Sequence, residues 1–150
     1  MLRYPFTPST GTIGPAEQQT GANCGPQRAV LSGDGNHYLF GCTSLLTEVN
    51  PGDLAQVVSQ YSVVGISVAF SPDSKEVVFA YNNQILIYDS TSRIMTGQYA
   101  VTPSNCLFGA HYYVDIQQVA FSRDGQLIEA YYECSANPSA NGIYFATFPP

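Results

Sequence analysis

The stretch Ile66–Asp89, ISVAFSPDSKEVVFAYNNQILIYD, predicts three short β-strands joined by two turns. Apolar residues alternate with small ones over Ile66–Phe70, which is the period of a half-buried strand. Ser-Pro-Asp-Ser then turns the chain, since proline presets φ and aspartate can bond its own backbone. Val77–Tyr81 and Ile85–Tyr88 follow as the second and third strands, with an Asn-Asn turn between them. The stretch therefore predicts an antiparallel meander.

The composition limits the class of protein. A chain of 150 residues normally forms one domain with a real core, and we expect a single domain over residues 1–150. Only 5 residues are lysine or arginine and the net charge is −6, so neither nucleic acid nor an anionic membrane is an expected partner. The 11 tyrosines and 8 phenylalanines, with no tryptophan, favour β-structure.

The N-terminal region carries no targeting or membrane signal. Residues 1–8, MLRYPFTP, lack the apolar core of a signal peptide. Residues 7–26 are rich in glycine, proline and small polar residues and are predicted to be a long loop. The longest nearly apolar run, Val63–Phe70, is far too short to span a bilayer. These features predict a soluble protein.

One turn pattern, Ser-x-Asp followed by Gly or Ser, occurs three times. Its aspartates are Asp34, Asp73 and Asp124, separated by 39 and 51 residues. Each turn follows one apolar strand and precedes two more. The strands that follow in the outer units are His37–Cys42, Leu45–Val49, Leu127–Tyr132 and Ile143–Phe148. A period near 40 residues with about four short strands per unit is typical of a propeller blade.

The segments VAFSPDS, ending at Ser74, and VAFSRDG, ending at Gly125, resemble the inner strand and turn of the WD40-like β-propeller family. Tyr88-Asp89 stands where that family has its Trp-Asp pair. The resemblance covers residues 27–148 and implies an all-β fold of antiparallel four-stranded blades. Tryptophan and the Gly-His pair are missing, so the hydrogen-bonded tetrad of regular repeats is not expected. The chain is thus similar to a divergent propeller of about three blades.

In the terms of that family, fourth strands complete the first two units at Ala55–Val64 and Gly97–Thr102. The third unit has none before Pro149-Pro150, which cannot continue a ladder. Residues 2–6 alternate apolar and polar positions and are predicted to be a strand that completes a blade. The blade units are predicted at about residues 27–64, 65–102 and 116–148.

Three blades do not close a ring, since propellers have about 4–8. An arc of three would leave two apolar sheet faces open, which soluble proteins rarely do. We expect either a homodimer, in which two arcs form one six-bladed ring, or completion by the rest of a longer chain. The expected partner is a protein in both cases.

The insertion at residues 103–115 is the best candidate for recognition. Its aromatic and imidazole side chains are Phe108, His111, Tyr112 and Tyr113. Tyrosine and phenylalanine are common in protein interfaces because they bring large contact area with little loss of entropy. The alternative is that these rings only cover a blade or a subunit boundary.

The four cysteines occupy equivalent places in the first and third units. Cys24 and Cys42 flank the first strand pair of the first unit, as Cys106 and Cys134 flank that of the third. Equivalent positions favour the disulfides Cys24–Cys42 and Cys106–Cys134, each worth roughly 3 kcal/mol if unstrained. Four buried free thiols are the alternative. Paired cysteines would indicate an extracellular protein and free thiols a cytoplasmic one.

No residue pattern predicts catalysis. The aspartates of the three turns, at positions 34, 73 and 124, are interpreted as structural caps of the backbone rather than acid or metal sites. Cys106, His111 and Asp115 lie close in sequence, but a nucleophile needs a base within reach and an oxyanion donor. The chain has no C-x-x-C, H-E-x-x-H, G-x-S-x-G or P-loop. We therefore expect no enzyme, no cofactor and no metal.

Glu129 and Glu133 could be imagined as a pair of glycosidase carboxylates. Four residues apart on a strand they share one face but lie about 13 Å apart along it. This is too far for either glycosidase geometry, so an exposed polar face is the simpler interpretation.

The leading hypothesis is a non-catalytic protein-binding or scaffolding propeller module that assembles through its open blade edges. A first alternative is an oligomeric propeller that binds a ligand such as a carbohydrate. A second is the non-catalytic propeller segment of a larger hydrolase. A fold by itself does not fix a function.

Overall fold

The structure is a computed structural model, and it describes residues 2–3, 6–7, 9–15, 17–18, 28–41, 46–50, 53–61, 67–108, 111–112 and 114–148. Within these residues β-strands dominate, with two short 3-10 turns at Ser104–Cys106 and Pro138–Ala140. In chain order the strands are β1 Leu2–Arg3, β2 Phe6–Thr7, β3 Thr12–Ile13, β4 Glu17–Gln18, β5 Arg28–Leu31, β6 Tyr38–Gly41, β7 Leu46–Asn50, β8 Asp53–Tyr61, β9 Ser67–Phe70, β10 Glu76–Tyr81, β11 Gln84–Asp89, β12 Met95–Ala100, β13 Leu107–Phe108, β14 His111–Tyr112, β15 Val114–Phe121, β16 Leu127–Cys134 and β17 Gly142–Thr147.

Three antiparallel sheets form the body of the molecule, and we call them the first, second and third blades. The first is β5-β6-β7-β8 and the second is β9-β10-β11-β12, each with neighbouring strands in chain order. The third is β15-β16-β17, with three strands among the described residues. The prediction of an all-β fold of antiparallel blades is confirmed.

The blades pack face to face, and the alternation of the strands decides which side chain meets which neighbour. On β10, Val77 and Phe79 belong to a buried cluster with Leu39 of the first blade. The residues between them, Val78 and Ala80, belong to the larger cluster shared with the third blade. The second blade is therefore apolar on both faces, which is why residues 77–80 of β10 are a continuous run of apolar residues.

The three Ser-x-Asp turns share one hydrogen-bond pattern. In the second blade, Ser71 Oγ donates to Asp73 Oδ1 at 2.7 Å and accepts from the backbone N–H of Glu76 at 2.9 Å. The same carboxylate accepts from the N–H two residues further on. Equivalent bonds form around Asp34 and Asp124. The recurrent sequence thus makes a recurrent turn.

The fourth residue of each turn adopts a left-handed backbone conformation. It is Gly35 at φ 74° and Gly125 at φ 72°, but Ser74 at φ 62° in the second blade. Ser74 is buried, and its Oγ accepts from the backbone N–H of Asp34 at 3.1 Å. The serine that replaces glycine here ties the first turn to the second.

Short strands are present in the N-terminal region and in the insertion at 103–115. The N-terminal strand predicted at residues 2–6 pairs locally, β1 with β4 and β2 with β3, and no ladder of the described residues joins it to a blade. Completion of a blade in a partner stays a prediction. The insertion at 103–115 contains the Ser104–Cys106 turn and the β13–β14 hairpin.

Within the described residues, no helix is long and apolar enough to cross a membrane. The blade unit predicted to begin near residue 116 has its first strand, β15, from Val114. The fourth strand predicted for the first unit at Ala55–Val64 overlaps β8, Asp53–Tyr61.

Candidate interaction surface on the third blade

The second and third blades can be compared position by position from their Ser-x-Asp turns. Val78 lies seven residues after Ser71, and Glu129 lies seven residues after Ser122. In β10–β11, Val78 pairs with Ile87. In β16–β17, Glu129 pairs with Phe145 in the same register. The next pair on the same face is Ala80 with Ile85 in the second blade and Tyr131 with Ile143 in the third.

The same four positions are buried in one blade and open in the other. Val78, Ala80, Ile85 and Ile87 are at most 1% exposed, because the third blade covers them. On the third blade, Tyr131 is 40% exposed, Ile143 61% and Phe145 56%. This face of the third blade, formed by Glu129, Tyr131, Ile143 and Phe145, is called the open face below.

The open face carries a half-open depression of about 190 Å³, lined by Gln118, Val119, Ala120, Glu129, Tyr131 and Ile143. Pockets for small organic ligands usually measure about 300–1,000 Å³ and enclose most of the ligand. The shape of this face suits another protein surface better than a small molecule.

The edge of the third blade beside this face is also unpaired within the described chain. The backbone N–H of Phe148 donates to the carbonyl of Gln126 at 2.7 Å, so these residues form a hydrogen-bonded pair. Antiparallel ladders alternate bonded and non-bonded pairs along the strand. It follows that the backbone N–H and C=O groups of Ile143 and Phe145 point away from β16. We call this side of β17 the open edge.

The boundary between the second and third blades reaches this edge at one end. The hydroxyl of Tyr99, on β12, donates to the carbonyl oxygen of Thr147. Tyr99 also packs against the larger buried cluster. The fourth strand of the second blade thus contributes an aromatic ring and a hydrogen bond to the next blade.

A carboxylate in a blade face has a precedent between the first and second blades. Glu48, on β7, is 2% exposed. Its Oε1 lies 2.7 Å from His37 Nδ1, and its Oε2 accepts from Nε of Arg93 at 2.9 Å. Arg93 belongs to the second blade, so the neighbouring blade supplies the cation that a buried acid needs. Glu129 on the open face is a second acid in such a face, but no described residue of a further blade lies beside it.

The recognition residues predicted on the insertion lie on the β13–β14 hairpin. Phe108 pairs with His111, and Tyr112 pairs with Leu107. The side chains of Phe108, His111 and Tyr112, and Tyr113 as a whole, fall outside the described part of the structure. Recognition by this hairpin stays a prediction.

One of the two predicted cysteine pairs lies within the described residues. Cys106 and Cys134 are both buried and are neighbours, but they are free thiols in the structure. Burial, with the adjacent Cys134 thiol, raises the pKa of Cys106 to about 11. A thiol held so far from ionisation is a poor nucleophile at neutral pH. Cys24 and Cys42 lie outside the described residues, and both disulfides stay predictions.

The turn aspartates are ionised caps in polar surroundings. The Ser32 hydroxyl, followed by the backbone N–H of Asn36, lowers the pKa of Asp34 to about 2. The pKa values of Asp73 and Asp124 are lowered for the same reasons, by the serine hydroxyl first and a backbone N–H second. Within the described residues no three histidine, cysteine or acidic side chains gather into a set that could hold a metal.

Two open sheet faces are expected from the sequence for an arc of three blades, but the residues that form the open face were not identified, although a signal for them exists. Aligning the units on their turns places Glu129 where the second blade has Val78 and Tyr131 where it has Ala80. A polar or large residue at a position that is small and apolar in the preceding unit indicates a different neighbour. The exposure of Ile143 and Phe145 gives no such signal, because both are apolar in either setting.

Solved structures of WD40 repeat proteins are similar to this chain in fold. No protein-family model matches the chain, and no curated protein matches it. The crystal structure of the RRP9 WD40 repeats is similar, with a TM-score of 0.61, 12% identity, and coverage of 85% of this chain and 40% of that one. The structure of U3-55K is similar too, with a TM-score of 0.62, 12% identity, and coverage of 85% and 41%. This chain spans about two fifths of the length of either structure, and its fold is that of a WD40-like β-propeller arc.

Proposed function

We propose that this chain is a non-catalytic protein-binding module, an arc of propeller blades that assembles through its third blade. One observation carries the proposal. The positions that bind the third blade to the second are repeated on the open face of the third blade, where Tyr131, Ile143 and Phe145 are exposed. A surface built like a blade-to-blade contact is suited to another blade.

A second copy of the chain is the proposed occupant of the open face. Two arcs of three blades make six, which lies within the range of about 4–8 that closed propellers have. Two-fold dimers are the commonest closed assemblies. The module then serves as a scaffold whose other surfaces, including the β13–β14 hairpin, are free for further protein partners.

The polar character of the open face fits assembly rather than catalysis. Glu129 is half-buried and Glu133 is exposed, so they frame an apolar centre with acidic side chains. Interfaces between proteins often combine such an apolar centre with a polar rim. The carboxylates lie on one strand of an open sheet, with no enclosed cleft around them.

The test is the mass of the protein in solution by light scattering, for the wild type and two variants. Phe145→Glu places a charge in the open face, whereas Ile94→Glu changes another exposed apolar residue, just before β12 and 66% exposed, as a control. We expect about twice the chain mass of 16.2 kDa for the wild type and for Ile94→Glu. Phe145→Glu should give the single-chain mass. A wild type that stays at 16.2 kDa at every concentration contradicts assembly with itself.

A further inference from the structure

The third blade has longer connecting segments than the second blade. In the second blade, β10 and β11 are joined by the two-residue turn Asn82-Asn83. In the third blade, residues 135–141 join β16 to β17. The insertion at 103–115 leads from the second blade into the third, whereas only residues 62–66 separate β8 from β9. We call residues 103–115 and 135–141 the added segments.

A buried cysteine stands at each added segment. Cys106 is the last residue of the Ser104–Cys106 turn, and Cys134 is the last residue of β16, directly before the second added segment. Both side chains are 1% exposed and belong to the larger buried cluster. On β16 the buried residues alternate with those of the open face, so the cysteines lie on the covered side of the third blade.

The two thiols are in contact with each other and with the opposite segment. The Cys134 thiol lies within hydrogen-bonding reach of Cys106. The Sγ atom of Cys106 lies 3.9 Å from the carbonyl oxygen of Ala140, and the Sγ atom of Cys134 lies 3.9 Å from that of Asn105. Since the two thiols already touch, only a short movement brings the sulfurs to the separation of about 2.05 Å that a disulfide has.

A bond between these sulfurs would fix both added segments at once. Positions 106 and 134 are 28 residues apart, and a cross-link over a loop of this length stabilises mainly by restricting the unfolded chain. Strand β13 starts at Leu107, directly after Cys106. The bond would therefore also hold the first strand of the β13–β14 hairpin against the end of β16.

Burial controls when this bond can form. The thiolate is the attacking species in thiol–disulfide exchange. Burial, with the adjacent Cys134 thiol, raises the pKa of Cys106 to about 11, and neither sulfur is open to a reagent in the folded chain. Both thiols are accessible in the unfolded chain. The redox state in which the chain folds is therefore kept afterwards.

We propose that Cys106 and Cys134 form a disulfide when the chain folds in an oxidising medium, and that this bond fixes the two added segments and is preserved by burial. The oxidant is a small disulfide of the glutathione class. One cysteine thiolate attacks it and releases one small thiol, and the second cysteine attacks the mixed disulfide and releases the other. Two electrons and two protons pass from the cysteines to the oxidant. This inference goes beyond the proposed function, because it concerns the covered side of the third blade.

The experiment uses the full chain with Cys24→Ala and Cys42→Ala, so that Cys106 and Cys134 are the remaining thiols. The protein is refolded from urea either with dithiothreitol or with a mixture of reduced and oxidised glutathione. A control variant carries Cys134→Ala in addition. Mass spectrometry of proteolytic fragments locates the bond, circular dichroism gives the melting temperature, and hydrogen exchange reports on single amides. If the double replacement prevents folding, the wild type is used, because fragment masses assign each bond separately.

We expect refolding with glutathione to give one intramolecular Cys106–Cys134 bond and to raise the melting temperature by roughly 5–15 °C. The control variant should melt at the same temperature in both media. Amides of residues 104–108 should exchange at least about tenfold more slowly in the oxidised form, whereas those of the β11–β12 turn, residues 91–94, should be unchanged. Oxidised glutathione added to the reduced, folded protein should form the bond at least about 100-fold more slowly than in urea.

Three results overturn the proposal. The first is the absence of a Cys106–Cys134 bond after refolding with glutathione. The second is a bond that leaves the exchange of residues 104–108 unchanged, which means that it does not fix the insertion. The third is an equal rate of oxidation in the folded and the urea-unfolded chain, which means that burial does not preserve the redox state. Self-assembly is measured separately by light scattering and does not enter these outcomes.

Discussion

The boundary between the first two blades and the open face of the third blade carry similar chemistry in different settings. In the first setting, Glu48 is buried and bonded to His37 and to Arg93 of the next blade. In the second, Glu129 lies among exposed apolar residues on a face that no described residue of a further blade covers. A carboxylate can thus belong to a blade contact in this fold, provided that the neighbour supplies a cation. The difference shows that a side chain on this face of a blade is buried by the neighbouring blade and not by its own strand.

The most direct test of this comparison exchanges the corresponding residues of the second blade's covered face and the third blade's open face. Val78→Glu puts a carboxylate where the third blade already covers the surface completely, with no cation beside it. We expect a loss of more than about 3 kcal/mol in the free energy of unfolding, because an unpaired charge would be buried. Urea denaturation followed by circular dichroism measures it.

The reciprocal change, Glu129→Val, should alter the stability of the single chain by less than about 0.5 kcal/mol, since this surface is open. It should also increase self-association, which light scattering detects. If both exchanges cost the same, the two faces are equivalent and the distinction drawn here is wrong.

Removing the arginine that pairs with the Glu48 carboxylate should have the next largest effect on the free energy of unfolding. Arg93→Met removes the cation that the second blade gives to Glu48 and leaves a buried acid with one partner fewer. We expect a loss of about 2 kcal/mol, less than for a fully buried pair because the Arg93 side chain is 32% exposed. Thermal and urea denaturation measure it.

The control for that variant is Lys75→Met, which breaks the ion pair with Asp73, whose side chains are 75% and 53% exposed. Exposed pairs contribute about 0–1 kcal/mol, so this change should be nearly neutral. Equal losses of unfolding free energy in the two variants would show that the ion pair between the blades contributes no more to stability than an exposed ion pair.

Loss of the hydrogen bond between the first two turns should have a smaller effect on the free energy of unfolding. Ser74→Ala removes the oxygen that accepts from the Asp34 N–H and keeps a side chain at positive φ, so we expect a loss of about 1 kcal/mol. Ser74→Gly loses the same bond but relieves the left-handed backbone, and it should cost less. A larger loss for glycine than for alanine, measured in the same urea experiments, would reverse this explanation.

The smallest expected effect is the loss of stability at acidic pH. The folded pKa values of the turn aspartates are lowered, for Asp34 to about 2, by serine hydroxyls and backbone N–H groups. A lowered pKa adds stability above the unfolded value near 4, and this stability is lost as the pH falls toward the folded value. Unfolding free energy should therefore drop between pH 4 and pH 2.

Asp34→Asn should flatten that acid dependence slightly, because the amide oxygen still accepts the bond from Ser32 and no longer titrates. The measurement is the urea midpoint at a series of pH values. An unchanged slope would mean that other groups dominate acid unfolding.

Much of the fold could be predicted because its strands and turns are determined by residues that are close together in the sequence. The alternation at Val77–Tyr81 and the turn at Asp73 are set by neighbouring residues, and the structure has strands and a turn there. Repetition of the same turn at Asp34 and Asp124 then gave the number of units. Strand ends differed by one or two residues, which local patterns do not determine.

The candidate site could not be predicted in the same way. The contact of Glu48 with Arg93 joins residues that are 45 positions apart, and no local pattern relates them. The open face depends on the register of β16 with β17, which pairs Tyr131 with Ile143 across a turn of irregular length. The β13–β14 hairpin within the insertion at 103–115 gives no sequence signal, because two-residue strands are too short to show a period.

The most direct test of the central claim is hydroxyl-radical footprinting of the wild-type chain over a range of protein concentrations. The account predicts that labelling of Tyr131 and Phe145 falls several-fold as the concentration rises, while labelling of Met95, which is 49% exposed on the outer strand of the second blade, stays constant. Labelling of Tyr131 and Phe145 that does not change with concentration, in a protein that is otherwise dimeric, would contradict the claim that the third blade is the surface of assembly.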